Sequence, residues 1–125
     1  MATINAFDIL YYQKNYKIHS LITFGSPRVG NKEFAKQFES YNIYSKRVTH
    51  YYDVVPHVPE EILGYRHISQ EVWYNKPNTE YTLCNGGNGS EDDKCSNSCS
   101  PTKCTSTSDH LDYLQIKMGE EGYCW

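Results

Sequence analysis

At 125 residues, with 38% hydrophobic and 22% charged side chains, the chain suits one domain with a modest core. That balance excludes a wholly disordered protein. Its longest apolar stretch, around Leu21 to Phe24, is far short of the roughly 20 residues of a membrane-spanning helix. The net charge of −3 divides into +2 from Met1 to His67 and −5 from Ile68 onward, with no basic stripe or polybasic run, so neither nucleic acid nor an electrostatic membrane anchor is an expected partner.

Ala2 to Asn15 reads as a helix, with Ile4, Phe7, Leu10 and Tyr11 on one face. Lys17 to Phe24 reads as a buried strand, ended by Gly25-Ser26-Pro27 because proline cannot donate to a ladder and glycine permits a sharp bend. Asn31 is a candidate N-cap for a helix to about Tyr41 that turns Phe34, Ala35 and Phe38 inward. Lys46 to Tyr52 reads as the next strand, and Asp53 falls where it stops. Two prolines and a glycine make Val54 to Tyr65 a loop. Ser69 to Tyr74 and Glu80 to Cys84 read as short strands, Asn85 to Ser108 as a long surface loop rich in Gly, Asn and Ser, and Leu111 to Met118 as a closing helix. Strands alternating with helices argue for an α/β fold with a parallel sheet, and the absence of a strand before the first helix reads like a fold entered partway through.

The cysteines, at positions 84, 95, 99, 104 and 124, all lie in the last third. Their clustering in a polar loop, beside the Asn88-Gly89-Ser90 glycosylation sequon, points to disulfides and a secreted protein. Five is odd, so at least one lacks a partner within these residues. No signal peptide follows Met1, and the expectation is that the natural N-terminus lies upstream.

Two places carry chemistry. Asp53 sits at the carboxyl end of a strand, where open α/β sheets bind ligands and where an acid can orient a histidine. Asp109-His110-Leu111 lies where the loop meets the last helix, so that Asp53 and His110 stand in the acid-then-histidine order of the later triad members in α/β-hydrolases. On residue type alone, an isolated acid at a strand end is more often a turn former or helix cap, and an isolated histidine is usually structural or solvated. A third constellation, Cys95, Cys99, Cys104 and His110, offers four soft ligands in sixteen residues and makes a Cys-rich zinc module a remote alternative.

Thr23-Phe24-Gly25-Ser26-Pro27-Arg28-Val29-Gly30-Asn31 resembles a characteristic stretch of the fungal-type (class 3) lipases. The resemblance continues in order through Arg47-Val48-Thr49-His50 and Asp53-Val54-Val55-Pro56, then Gly64-Tyr65, His67, Glu71 and Trp73, and Asp109-His110-Leu111-Asp112-Tyr113. It implies the α/β-hydrolase fold, represented by its C-terminal half, with residues 1–125 a partial domain beginning just after the nucleophile elbow. It also implies a carboxylic ester hydrolase, most simply a triacylglycerol lipase, with Asp53 as triad acid, His110 as base and no metal or organic cofactor. Lipid or another ester would be the substrate, met at a lipid–water interface. The missing N-terminal half would supply a strand or disulfide partner, with Cys124 as the orphan thiol. Cys84 with Cys95 and Cys99 with Cys104 is one pairing compatible with the remaining four. His50 reads as packed within a strand, His67 as structural support, and His57 as a lesser candidate for the base. No G-x-S-x-G occurs in the sequence, so the nucleophilic serine and its oxyanion donors are expected outside it. A feruloyl-type esterase shares these motifs, and an inactive fragment acting in binding is the other alternative.

Overall fold

The computed structural model describes residues 1–13, 15–86, 89–99 and 102–119. Its elements are α1 (Ala2–Tyr12), β1 (Ser20–Phe24), β2 (Gly30–Asn31), α2 (Lys32–Ser40), β3 (Tyr44–His50), β4 (Tyr65–Arg66), β5 (Gln70–Tyr74), β6 (Tyr81–Leu83), α3 (Thr107–His110), β7 (Asp112–Tyr113) and β8 (Ile116–Lys117). The main sheet has the order β1-β3-β5-β6. The first three strands run parallel, and β6 closes the edge antiparallel to β5. The register sets Phe24 beside Val48 and His50 beside Tyr74, so β1 and β3 deliver their last residues to the same end of the sheet.

The core lies between the two longer helices and the sheet: Ala6, Ala35, Phe38 and Ile68 are buried, with Phe7, Leu10, Leu21 and Phe34 packed against them. Helix α2 follows its sequence closely. The Asn31 side chain accepts the Phe34 backbone N–H at 2.9 Å, satisfying one of the orphan donors of the first turn, and Ala35 and Phe38 are buried. Helix α1 is rotated from the expected register. Thr3 and Ala6 are its buried residues, whereas Ile4 and Tyr11 are exposed. The stripe 3-6-7-10 has helical spacing just as 4-7-10-11 does, and the small Ala6 at its centre lets the helix approach the sheet.

Strand β1 is shorter than expected and lies at an edge, with Ile22 and Phe24 exposed rather than buried. The expected loop after Asp53 contains two 3-10 turns, Val55–His57 and Glu61–Leu63, before β4 pairs with β2. The long loop that follows is fastened by two disulfides, Cys84–Cys95 and Cys99–Cys104, whose four cysteines are buried. Asn88 and Cys124 lie outside the described residues.

The largest departure is at the end of the chain. The expected helix from Leu111 to Met118 is instead a hairpin, β7 and β8, turned through Leu114 and Gln115 with φ of 55° and 65°. Two consecutive left-handed residues match the twist of a tight antiparallel hairpin. Leu111, Leu114, Ile116 and Met118 stay exposed, so no apolar helix face forms; Tyr113 alone turns inward.

Candidate active site

Asp53 is placed by the turn that ends β3, in which its N–H donates to the His50 carbonyl at 2.9 Å. It is 1% exposed and its carboxylate is fully engaged. Oδ1 accepts the Val55 N–H at 2.8 Å. Oδ2 accepts the Tyr113 hydroxyl at 2.5 Å and faces His110 Nδ1 at 3.0 Å.

His110 arrives from the far end of the disulfide loop. The segment is first stitched beside Asp53, with Ser106 N–H donating to the Tyr52 carbonyl at 3.0 Å and Val54 N–H to the Ser106 carbonyl at 3.2 Å. Ser106 then caps α3, its Oγ accepting the Asp109 N–H at 3.0 Å, and His110 is the last residue of that single turn. A carboxylate only accepts, so the proton on the neutral imidazole sits on Nδ1 and the Nε2 lone pair is free. No described residue bonds to Nε2. It belongs to a side chain 32% exposed, on an open groove of about 440 Å³ that Met1–Thr3, Ile22–Pro27 and Val55 also line. Gly25 makes this approach possible. Its φ is 56°, and a Cβ there would stand 2.7 Å from His110 Nδ1 and 3.0 Å from Asp53 Oδ2.

A buried acid beside an imidazole held in one tautomer, on a side chain that lines an open groove, is an arrangement suited to general-base chemistry. The matches to known proteins agree in kind. Residues 1–62 match the model of the lipase (class 3) family. A lipase from Rhizopus niveus is 40% identical over 100 residues, which are 80% of this chain and 24% of that protein. The solved lipase II of the same organism superposes with a TM-score of 0.83 at 34% identity, over 94% of this chain and 44% of that one. The chain belongs to the class 3 lipase family. Its sheet and flanking helices are part of an α/β-hydrolase fold, and it spans about a quarter of the Rhizopus niveus relative's length. A further solved structure, a triacylglycerol lipase whose catalytic centre is formed by a serine protease triad, matches with a TM-score of 0.75 at 33% identity, over 94% of this chain and 44% of that one.

Three other histidines of this class 3 lipase chain, His50, His57 and His67, are buried, whereas His19 is exposed. Both ring nitrogens of His50 lie 3.0 Å from backbone carbonyls, those of Asp109 and Lys76, so it braces the His110 loop from behind. His67 donates from Nε2 to the Pro56 carbonyl at 2.7 Å, and burial, then Arg47 and Arg28, hold its pKa well below the ordinary value. His57 is 9% exposed, and neither ring nitrogen has a hydrogen-bond partner among the described residues. Burial, reinforced by Arg28, lowers its pKa to about 4. The zinc set is not assembled. Cys95 is bonded to Cys84 and Cys99 to Cys104, which leaves no thiolate among the three, and His110 faces Asp53.

The depressed His57 has a consequence for stability. The unfolded chain takes up this proton near pH 6.5 and the folded chain only near pH 4, so His57's contribution is intact above pH 6.5 and is lost as pH falls between those values. The loss is bounded at about 3 kcal/mol. Urea denaturation at pH 7 and pH 4.5 should show a smaller acid-induced loss of stability in His57→Leu than in the wild type. Equal losses in the two proteins would refute this assignment.

Sequence reasoning passed over Tyr113 as a partner of Asp53, and Glu91, which pairs with Arg28. Tyr113 had one signal, its place three residues after His110. Glu91 had none, since nothing local in an acidic loop singles out one carboxylate.

Proposed function

We propose that this chain supplies the acid and the general base of a secreted serine ester hydrolase acting on acylglycerols at a lipid–water interface. The observation that carries this is the Nδ1–Oδ2 contact of 3.0 Å between a buried Asp53 and His110, a residue that lines an open groove and whose Nε2 has no partner among the described residues. In the proposed reaction, Nε2 takes the proton of a serine hydroxyl as its oxygen attacks the ester carbonyl. Asp53 stabilises the imidazolium formed, and Nε2 then returns the proton to the departing alcohol. Water repeats the sequence on the acyl-enzyme. No metal or organic cofactor takes part. The serine and its oxyanion donors are proposed to come from residues that these 125 do not include, because the sequence carries no G-x-S-x-G. The groove favours an entry beside the first turn of α1, which lines it together with His110. The exposed edge of β1 suits a further strand from that same segment. Secretion is supported by the two disulfides.

The test is fatty-acid release from emulsified triacylglycerol by the full-length protein, before and after a serine-directed phosphonate, with the 125 residues alone as a comparison. Turnover abolished by the phosphonate, and absent from the 125 residues, is the expected result. A full-length protein that cleaves no acylglycerol or simple ester would overturn the reading.

In the same assay, Gly25→Ala is expected to lower turnover by about 10²-fold, because the added methyl pushes the imidazole off its line to the carboxylate. The left-handed backbone adds about 1–2 kcal/mol of destabilisation, readable by thermal unfolding. Wild-type turnover in Gly25→Ala would show that the close approach has no catalytic consequence.

A further inference from the structure

Asp53 Oδ2 faces two groups at once, His110 Nδ1 at 3.0 Å and the Tyr113 hydroxyl at 2.5 Å. A buried tyrosine needs an acceptor, but this one is bonded to the very oxygen turned toward the imidazole, while Oδ1 is held separately by the Val55 N–H. The surroundings are built to bring it there. Tyr113 is the one buried side chain of the hairpin, whose other residues are exposed or, for Asp112, half-buried, and the two residues after it adopt left-handed backbone to complete the turn. Asn78 pins that turn by donating to Asp112 Oδ1 at 3.1 Å and accepting the Leu114 N–H at 3.3 Å. The ring itself packs edge-on against Phe24 and His50, each 5.8 Å between centroids.

Resting on the triad reading above, we propose that Tyr113 is a positioning residue for the Asp53–His110 pair: its hydroxyl fixes the rotation of the carboxylate and sets how much negative charge Oδ2 presents to the imidazole. A hydroxyl donating to a carboxylate oxygen draws charge from it, and an oxygen so engaged stabilises a neighbouring imidazolium less. Other ionisable groups acting on this cluster are His57 on Asp53, Glu71 and Arg47 on Tyr113, and His50 against its ring. Burial and the adjacent Asp53 raise the phenol's pKa, so it remains a donor through the working pH range.

The experiment is the pH dependence of kcat/KM for ester hydrolysis by the full-length protein, as wild type, Tyr113→Phe and Asp53→Asn, with thermal unfolding to confirm that each is folded. Tyr113→Phe keeps the ring packing and removes only the hydroxyl. Its acid limb should move to higher pH by roughly half to one unit, a fraction of the ~1–2 units that the full strength of a hydrogen bond to a charged group corresponds to, because the hydroxyl acts on the imidazole through the carboxylate; kcat should fall and KM change little. A fluorotyrosine incorporated at position 113 is a stronger donor and should move the limb to lower pH, an opposite sign that a packing role would not produce. A Tyr113→Phe profile that superimposes on the wild type, while Asp53→Asn is still silenced, overturns this proposal and leaves the triad reading standing. Full activity in Asp53→Asn overturns both.

Discussion

Asp53→Asn and His110→Ala are each expected to reduce kcat for ester hydrolysis by the full-length protein by on the order of 10³–10⁴-fold, with little change in KM. Among the described residues, His110 is the one histidine that lines the open groove, and His110→Ala deletes it. His50 is committed to two carbonyls, His67 to a third, and His57 does not line that groove, so none is placed to substitute. Asp53→Asn acts differently. The carboxylate accepts on both oxygens, from Val55 on one and from Tyr113 and His110 on the other. An amide can accept on only one side. If its NH2 faces His110, the imidazole takes the opposite tautomer and Nε2 carries a proton when it should receive one. If its NH2 faces Val55, two donors meet and the turn after β3 is pushed away. Either arrangement disables the base. Steady-state hydrolysis decides it, with unfolding measured alongside because Asp53 is buried. Retention of more than a tenth of wild-type kcat in His110→Ala would move the base role to another histidine.

What the sequence disclosed and what it concealed divide along the range of the interactions. The Asn31 cap is a contact over three residues, and the Phe34-Ala35-Phe38 face follows from helical period alone; both stand in the structure. Asp53 was legible because the strand read over Lys46 to Tyr52 stops at it and Val54-Val55-Pro56 follows, a local boundary that parallel pairing turns into a position at the sheet's carboxyl end. The C-terminal hairpin was not legible, because Leu111, Leu114 and Met118 fit a helical stripe as well as they fit a strand pair. The decision is made by Tyr113 reaching a carboxylate sixty residues away. The exposure of β1 was hidden for a related reason. Ile22 and Phe24 give a strand an apolar reading whatever lies beside it, and edge position depends on the neighbours a strand has, not on its own residues.

Arg28 shows the same division within one residue, and its removal should have the second large effect. The sequence marked it as part of a motif; the structure shows it as the tie among three segments. Its side chain is 2% exposed. Nε and Nη2 donate to the two oxygens of Glu91 at 2.7 and 2.6 Å, Nη1 donates to the carbonyls of His57 at 2.8 Å and Pro59 at 3.0 Å, and Glu61 lies 3.4 Å away. Glu91 in turn accepts the His67 N–H at 3.3 Å. The guanidinium therefore joins the turn after β1, the loop that follows Asp53 and the disulfide loop that leads to His110. Arg28→Ala strands a carboxylate whose side chain is 6% exposed, a change that costs about 3–5 kcal/mol in buried pairs, against a total stability of about 5–15 kcal/mol. Arg28→Lys keeps the charge but loses the two-pronged contact and should fall between wild type and alanine. Arg28→Met combined with Glu91→Gln removes both charges and should recover part of the loss, because most of the cost of alanine is the unpaired anion and not the missing attraction. Urea denaturation of the four proteins separates these terms. If Arg28→Ala lies within 1 kcal/mol of wild type, as a rough bound set by a solvated ion pair, Glu91 reaches water and the tie is not structural.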